Sequence, residues 1–256
     1  MTDSTMTDRA MTDREPTDST ITDREPTDSH LWLLPEHAVD GFAARHGGRQ
    51  LLSQAEQALL DRRRTPGARR RYLGARVLSR YALSARSGRP LSAWQFRTGA
   101  DGRPEPAEPA DGLRFNLSHT DGLIACLVTH RVACGVDVEP SPAGRDAVRY
   151  LPRFLADAER AVLAAAEPPE LARTLAAYWV LKEAYLKARG TGLRRDLAEF
   201  AFSAPGRGPI RLDDPADPPA VNAAWKFELL YPEPGFVLAA AVENGRGGRL
   251  HRTVLS

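Results

Sequence analysis

The chain has 256 residues, carries 35 Lys plus Arg against 33 Asp plus Glu, and has two cysteines. It is long enough to bury one large core or two small ones, and it lacks any apolar run of membrane-spanning length. Cys126 and Cys134 show no CxxC or Cys/His spacing, which excludes a zinc site or a disulfide framework, and the opening MTDSTMTDRA lacks the basic start and apolar middle of a secretory signal, so a cytoplasmic protein with no membrane contact is expected.

Residues 1–30 hold a direct repeat, TDREPTDST at 12–20 and TDREPTDSH at 22–30, with eight acids and three arginines. So polar a stretch buries too little to offset the entropy of ordering, and a disordered acidic tail of unassigned role is expected. The pattern changes at LWLL, residues 31–34, which predict a first strand. Residues 53–60 predict a helix capped by Ser53, and ARRRYLGARVLSRYALSARSG predicts an amphipathic helix ending near Gly88. Twelve arginines between Arg45 and Arg89 face only Glu56 and Asp61. The plain reading of that segment is a solvated helical surface; the alternative is a nucleic-acid or acidic-partner binding face over 62–89.

Strands follow at 113–117, at 123–129 and at GVDVEP, 135–140. Helices are predicted over 157–166 and 170–189, the second bounded by Pro168-Pro169 and Gly190, and strands over 225–231 and 235–242. Two successive arrays of strands and helices indicate an α+β protein of two similar halves, 31–140 and 141–256, after the tail 1–30.

Three stretches carry chemistry. In GVDVEP, Asp137 and Glu139 are two apart and share one strand face, while Val136 and Val138 share the other. Like charges that close are costly unless a cation joins them, although a wet strand face would show the same alternation. In FNLSHTDG, Ser118 and His119 stand where a hydroxyl, an imidazole and backbone N–H groups can meet an anion; no GxSxG elbow supports a nucleophilic serine. In YWVLKEAYLKARGTGL, Glu183 and Lys187 are four apart on one helix face, the spacing of an ordinary surface ion pair. Only three lysines occur, Lys182, Lys187 and Lys226, so a lysine here marks a place where a compact ammonium is useful.

Together FNLSH, GVDVE and WVLKEAYLKARGTGL, with GRP at 102–104 upstream, resemble the 4′-phosphopantetheinyl transferases of the large, surfactin-synthetase type in both order and approximate spacing. The resemblance spans about residues 62–193. It implies a pseudo-twofold pair of α+β halves with the active site in the cleft between them. It further implies coenzyme A as substrate, an acyl or peptidyl carrier protein as partner, a monomer, and Mg²⁺, with Mn²⁺ as a substitute. Asp137, Glu139 and Glu183 would then be the metal ligands. Glu183 and Lys187 would be catalytic, Glu183 as base directly or through a water. Arg70, Arg103, Ser118, His119, Lys182 and Lys187 would bind coenzyme A, and one of Arg62, Arg63 and Arg64 would stand in for the lysines that hold the 3′-phosphate in the family. The reaction implied is attack of a carrier serine on the β-phosphate with release of 3′,5′-ADP, in polyketide, nonribosomal-peptide or related assembly. A metal-dependent phosphohydrolase using the same carboxylates is the other enzymatic reading.

Overall fold

Two helices of 22 residues, each opened by proline and closed by a glycine in the left-handed region, frame the chain. The computed structural model describes residues 28–99, 103–243 and 248–256. The expected tail therefore lies outside the described residues as far as residue 27, and Ser29 already begins a strand. In chain order come β1 (Ser29–Pro35), α1 (Val39–Arg45), α2 (Gln54–Asp61), α3 (Pro66–Ser87), β2 (Phe96–Thr98), β3 (Pro104–Pro106), β4 (Leu113–Thr120), β5 (Leu123–His130) and β6 (Cys134–Pro140). Next are α4 (Arg145–Tyr150), α5 (Asp157–Ala164), α6 (Pro168–Arg189), β7 (Ala201–Phe202), β8 (Leu212–Asp213), α7 (Pro219–Ala224), β9 (Lys226–Leu230), β10 (Phe236–Val242) and β11 (Leu250–Val254).

Two sheets form the centre, one ordered β11-β1-β5-β4 and the other β6-β10-β9. Strand alternation assigns each face. Trp32, Leu34, Ile124, Cys126 and Val128 of the first sheet pack under Val77 and Leu78 of α3. Val237, Ala239 and Ala241 of the second pack under Tyr178, Leu181 and Tyr185 of α6. The remaining faces meet each other, Leu31, Leu33, Ala125 and Leu127 against Val136, Val138, Leu238 and Ala240. The result is a helix–sheet–sheet–helix stack, an α+β fold.

The two halves repeat one plan. In the first, β1 pairs with β5 and β5 with β4, antiparallel, under α3; in the second, β6 pairs with β10 and β10 with β9, antiparallel, under α6. The expected boundary at 140 moves accordingly. β6 takes its ladder from β10, with Asp137 opposite Ala239, so it opens the second half, and β11 returns to pair in parallel with β1 of the first. Two other expectations shift by small amounts. β4 continues to Thr120, so FNLSH lies inside a strand. Helix α6 starts at Pro168 because a first-turn proline has no N–H that the helix needs.

Candidate active site

Gly135 sets the distance between β6 and α6. A Cβ there would stand 2.0 Å from the Ala184 carbonyl oxygen and 2.6 Å from the Ala188 nitrogen, both backbone atoms that cannot move aside. Glycine lets one turn of helix lie directly on the strand. That turn spans Glu183 and Lys187, and two residues along the same strand face stands Asp137. Lys187 Nζ donates to Asp137 Oδ1 at 2.6 Å and to the Val136 carbonyl at 3.2 Å. The pair is not the exposed helical ion pair that i, i+4 spacing predicts, since Lys187 bonds across to the strand.

The second wall comes from β4, the edge of the first sheet, which lies beside β6, the edge of the second. No backbone ladder joins these strands; side chains do so instead. Asn116 Oδ1 accepts from Val136 N at 3.0 Å, and Ser118 Oγ accepts from Val138 N at 3.4 Å. Two N–H groups of the β6 edge are thereby satisfied without strand pairing. Ser118 also donates to Asp137 Oδ1 at 2.8 Å and accepts from Lys187 Nζ at 3.0 Å, which uses the hydroxyl's full capacity. Ser118 is thus a fixed polar post. Its register partner is Ala125, on the face toward the second sheet, whereas His119 opposes Ile124, on the face toward α3. Adjacent residues of one motif therefore look out on opposite sides of the seam.

Electrostatics differ on those two sides. Burial pushes the Glu139 carboxyl up to about 7, with the charges of Asp137 and then Glu183 adding and Lys187 opposing. Glu183 is raised as well, by burial first and by Asp137 next, again against Lys187. His119 is lowered, by the protein packed around it first and then by the charges of Arg71, Lys187 and Arg63. One side is short of positive charge and the other rich in it.

The structure brings together Ser118, His119, Asp137, Glu139, Glu183 and Lys187, and Arg103 joins them by donating to the Lys187 carbonyl. Gly102 of the GRP motif lies outside the described residues. Lys182 departs from expectation. Lys182 is wholly buried on the far side of α6, where its ammonium contacts Glu159 Oε2 at 2.8 Å and the carbonyls of Leu197 and Phe200 at 2.7 and 2.6 Å. Its side chain is 0% exposed and enclosed with these oxygens, so it does not reach a ligand; a compact ammonium is useful there as a structural cation. Arg70 lies on α3, next to Arg71, where it bonds Asp40 at 3.3 Å and stands 3.7 Å from Glu36. Sequence reasoning missed Asn116, which the motif itself contains, and Arg71, whose charge, with that of Arg63, reaches His119. Only its place beside FNLSH in space could have singled out Arg71.

The donor set suits a hard divalent cation: all oxygens, three carboxylates, and a buried Asp137 Oδ2 with no hydrogen-bond partner. Among the described residues no group of three acids is already arranged to hold a metal ion, and the positive charge facing Asp137 is the Lys187 ammonium. The chemistry fits, and a bound cation requires the side chains to regroup around Asp137.

Residues 133–241, which begin just ahead of β6, match the model of the 4′-phosphopantetheinyl transferase superfamily. The chain is 29% identical over 219 residues to a 4′-phosphopantetheinyl transferase, HetI, of a Nostoc species, covering 83% of this chain and 86% of that one. It is 32% identical over 175 residues to an L-aminoadipate-semialdehyde dehydrogenase-phosphopantetheinyl transferase of Eremothecium gossypii, 64% of this chain and 62% of that one. With a 4′-phosphopantetheinyl transferase of Bacillus subtilis it shares 28% over 140 residues, 54% and 60% of the two chains. A Thermotoga maritima holo-[acyl-carrier-protein] synthase structure superposes at TM-score 0.35 with 23% identity, over 44% of this chain and 62% of that one, too little to carry an argument. No helix among the described residues is long and apolar enough to cross a membrane.

Proposed function

We propose that the chain belongs to the 4′-phosphopantetheinyl transferase superfamily and that its two-sided cluster moves the 4′-phosphopantetheine group of coenzyme A onto a serine hydroxyl of an acyl or peptidyl carrier protein, releasing 3′,5′-ADP. We read it as the large, two-half kind. The observation that carries this is the juxtaposition across the seam: Lys187 of α6, Ser118 of β4 and Asp137 of β6 meet within 3.0 Å of one another in sequence-distant pairs.

Asp137, Glu139 and Glu183 would hold Mg²⁺, which when bound neutralises pyrophosphate charge and fixes its oxygens. Lys187, held by Ser118, stands ready to take up the negative charge that grows on the bridging pyrophosphate oxygen, which leaves on the 5′-phosphate of 3′,5′-ADP. Glu183 accepts the carrier serine proton, directly or through a water; its raised pKa brings a carboxyl nearer the range in which proton transfer at neutral pH is effective. Ser118 faces this charged end of coenzyme A. His119, on the other side of β4, faces the ribose 3′-phosphate, and of Arg62, Arg63 and Arg64 we assign Arg63 to help it, because its charge is the one felt at His119. The carrier supplies the nucleophile, consistent with the saturated hydroxyl of Ser118.

Labelling of apo carrier proteins with a fluorescent coenzyme A tests the reading. Label on at least one carrier of a panel, dependent on Mg²⁺ and on this chain, is expected. Release of 3′,5′-ADP with no carrier present would favour a phosphohydrolase instead.

A further inference from the structure

Glu36 follows the last residue of β1 and lies outside every motif considered above, yet it ties three separate elements. Its carboxylate accepts from Arg71 Nη1 of α3 at 2.8 Å and from the Gly122 N–H at 3.0 Å, and its own N–H donates to the Gly122 carbonyl at 2.8 Å. Arg71 Nη2 in turn bonds Asp121 Oδ1 at 2.7 Å. The turn Asp121-Gly122 is therefore gripped through both residues, by Glu36 and by the arginine that Glu36 orients. It is the same turn that ends the FNLSHTDG stretch, two residues after His119. Gly122 has φ +98°, and a Cβ there would stand 2.9 Å from the Phe236 ring, so the turn in this conformation calls for glycine.

The Glu36 side chain is only 13% exposed, and that of Arg71 18%. Burial pushes the Glu36 carboxyl up, but hydrogen bonds from Arg71 and Gly122 outweigh it and hold the group below its ordinary range. Arg71 has both terminal nitrogens engaged within the protein, by Glu36 and Asp121. Its part is then to hold the turn and to lend charge to the neighbourhood of His119, with Glu36 as the fixed point.

We propose that Glu36 is a positioning residue for coenzyme A: with Arg71 it locks the β4–β5 turn, and so sets where His119 meets the ligand. The inference rests on the transfer reaction proposed above. It predicts a split, since Glu36 supports the first-half side of the seam and not the carboxylates of the second. Glu36→Ala should raise KM for coenzyme A about tenfold, with kcat and the KM for the carrier protein changed by no more than about twofold. Glu36→Asp, which keeps the carboxylate, should recover part of that loss, and Arg71→Met should give the same split as Glu36→Ala. The rise in Tm that coenzyme A alone produces should shrink in step in both. Equal rises in both KM values, or an unchanged coenzyme A KM in both Glu36→Ala and Arg71→Met, would overturn the inference. Were Glu36→Ala not to fold, Arg71→Met decides by the same split. A wild-type chain that labels no carrier would instead overturn the transfer reading, and that result is obtained before any variant is made.

Discussion

The two halves share a plan and differ in what they do with it. Helices α2 and α5 are each eight residues long, and each places a glutamate at its third position, Glu56 and Glu159. Each glutamate meets a buried cation at the fifteenth residue of the following long helix: Arg80 reaches Glu56 at 2.7 Å and Lys182 reaches Glu159 at 2.8 Å. Even the close approach of helix to sheet recurs, with the glycine on opposite partners. Gly74 of α3 faces Ile124 and Val39 side chains in the first half, and Gly135 of β6 faces helix backbone in the second. The frame is duplicated, while the chemistry is not. Arginines gather in the first half, and Asp137, Glu139, Glu183 and Lys187 in the second.

Breaking the paired cations is the harshest test of the shared frame. Lys182→Met leaves Glu159 with its charge enclosed and uncompensated and should cost about 3–5 kcal/mol in chemical denaturation. Arg80→Met should cost less, because the Glu56 side chain is 9% exposed and that of Glu159 is 0% exposed. Assayed well below its Tm, Lys182→Met should still transfer phosphopantetheine. Complete loss of transfer in a folded Lys182→Met protein would return that lysine to the site.

Next in size is the chemistry confined to the second half. Asp137→Asn should lower the initial transfer rate about 10²–10³-fold while the far-UV spectrum stays native. Asn116→Ala, which frees the Val136 N–H, should act through stability more than through rate. The glycines then give a smaller, directional contrast. Gly135→Ala should destabilise by about 2–3 kcal/mol or more and Gly74→Ala by about 1 kcal/mol, since the first meets backbone and the second meets movable methyl groups.

The smallest effect is a pH dependence of opposite sign in the two halves. Burial pushes Glu56 up, but Arg80, the Ser53 N–H and Arg76 together bring it below its ordinary value. Its stabilising contribution is present above the unfolded pKa and is lost as pH falls through the lower folded one. Glu139, at about 7 against an ordinary 4.5, binds its proton more tightly in the folded chain. Its contribution is full below about 4.5 and is lost as pH rises through about 7. Without divalent cations, Tm should therefore fall between pH 5 and pH 8, and Mg²⁺ should restore more at pH 8 than at pH 5. A Glu139→Gln protein should show a smaller fall, the remainder coming from Glu183, which burial also raises.

Much of this was legible beforehand where one element carried the signal. The strands at LWLL and GVDVEP, the capped helix at Ser53 and both long helices announced themselves by periodicity and punctuation. Strand alternation alone put Asp137 and Glu139 on one face. What stayed hidden depended on contacts across the chain. Ladder pairing to β10 moved β6 into the second half, and the return of β11 to β1 had no local sign. The burial of Lys182 was invisible because five residues place it and Lys187 on different faces of the same helix, and only packing decides which faces the seam. Glu36 sits in no motif, so its grip on Arg71 and Gly122 appears only in three dimensions.

The central claim is that one seam joins a carboxylate side to a phosphate side for transfer to a carrier serine. Intact-mass spectrometry of an apo carrier protein incubated with coenzyme A, Mg²⁺ and the chain tests it most directly, run beside Glu183→Gln. The account predicts a gain of one phosphopantetheine on the carrier serine with the wild-type chain and none with a folded Glu183→Gln protein. No gain on any of several carriers, or an undiminished gain with Glu183→Gln, would contradict it.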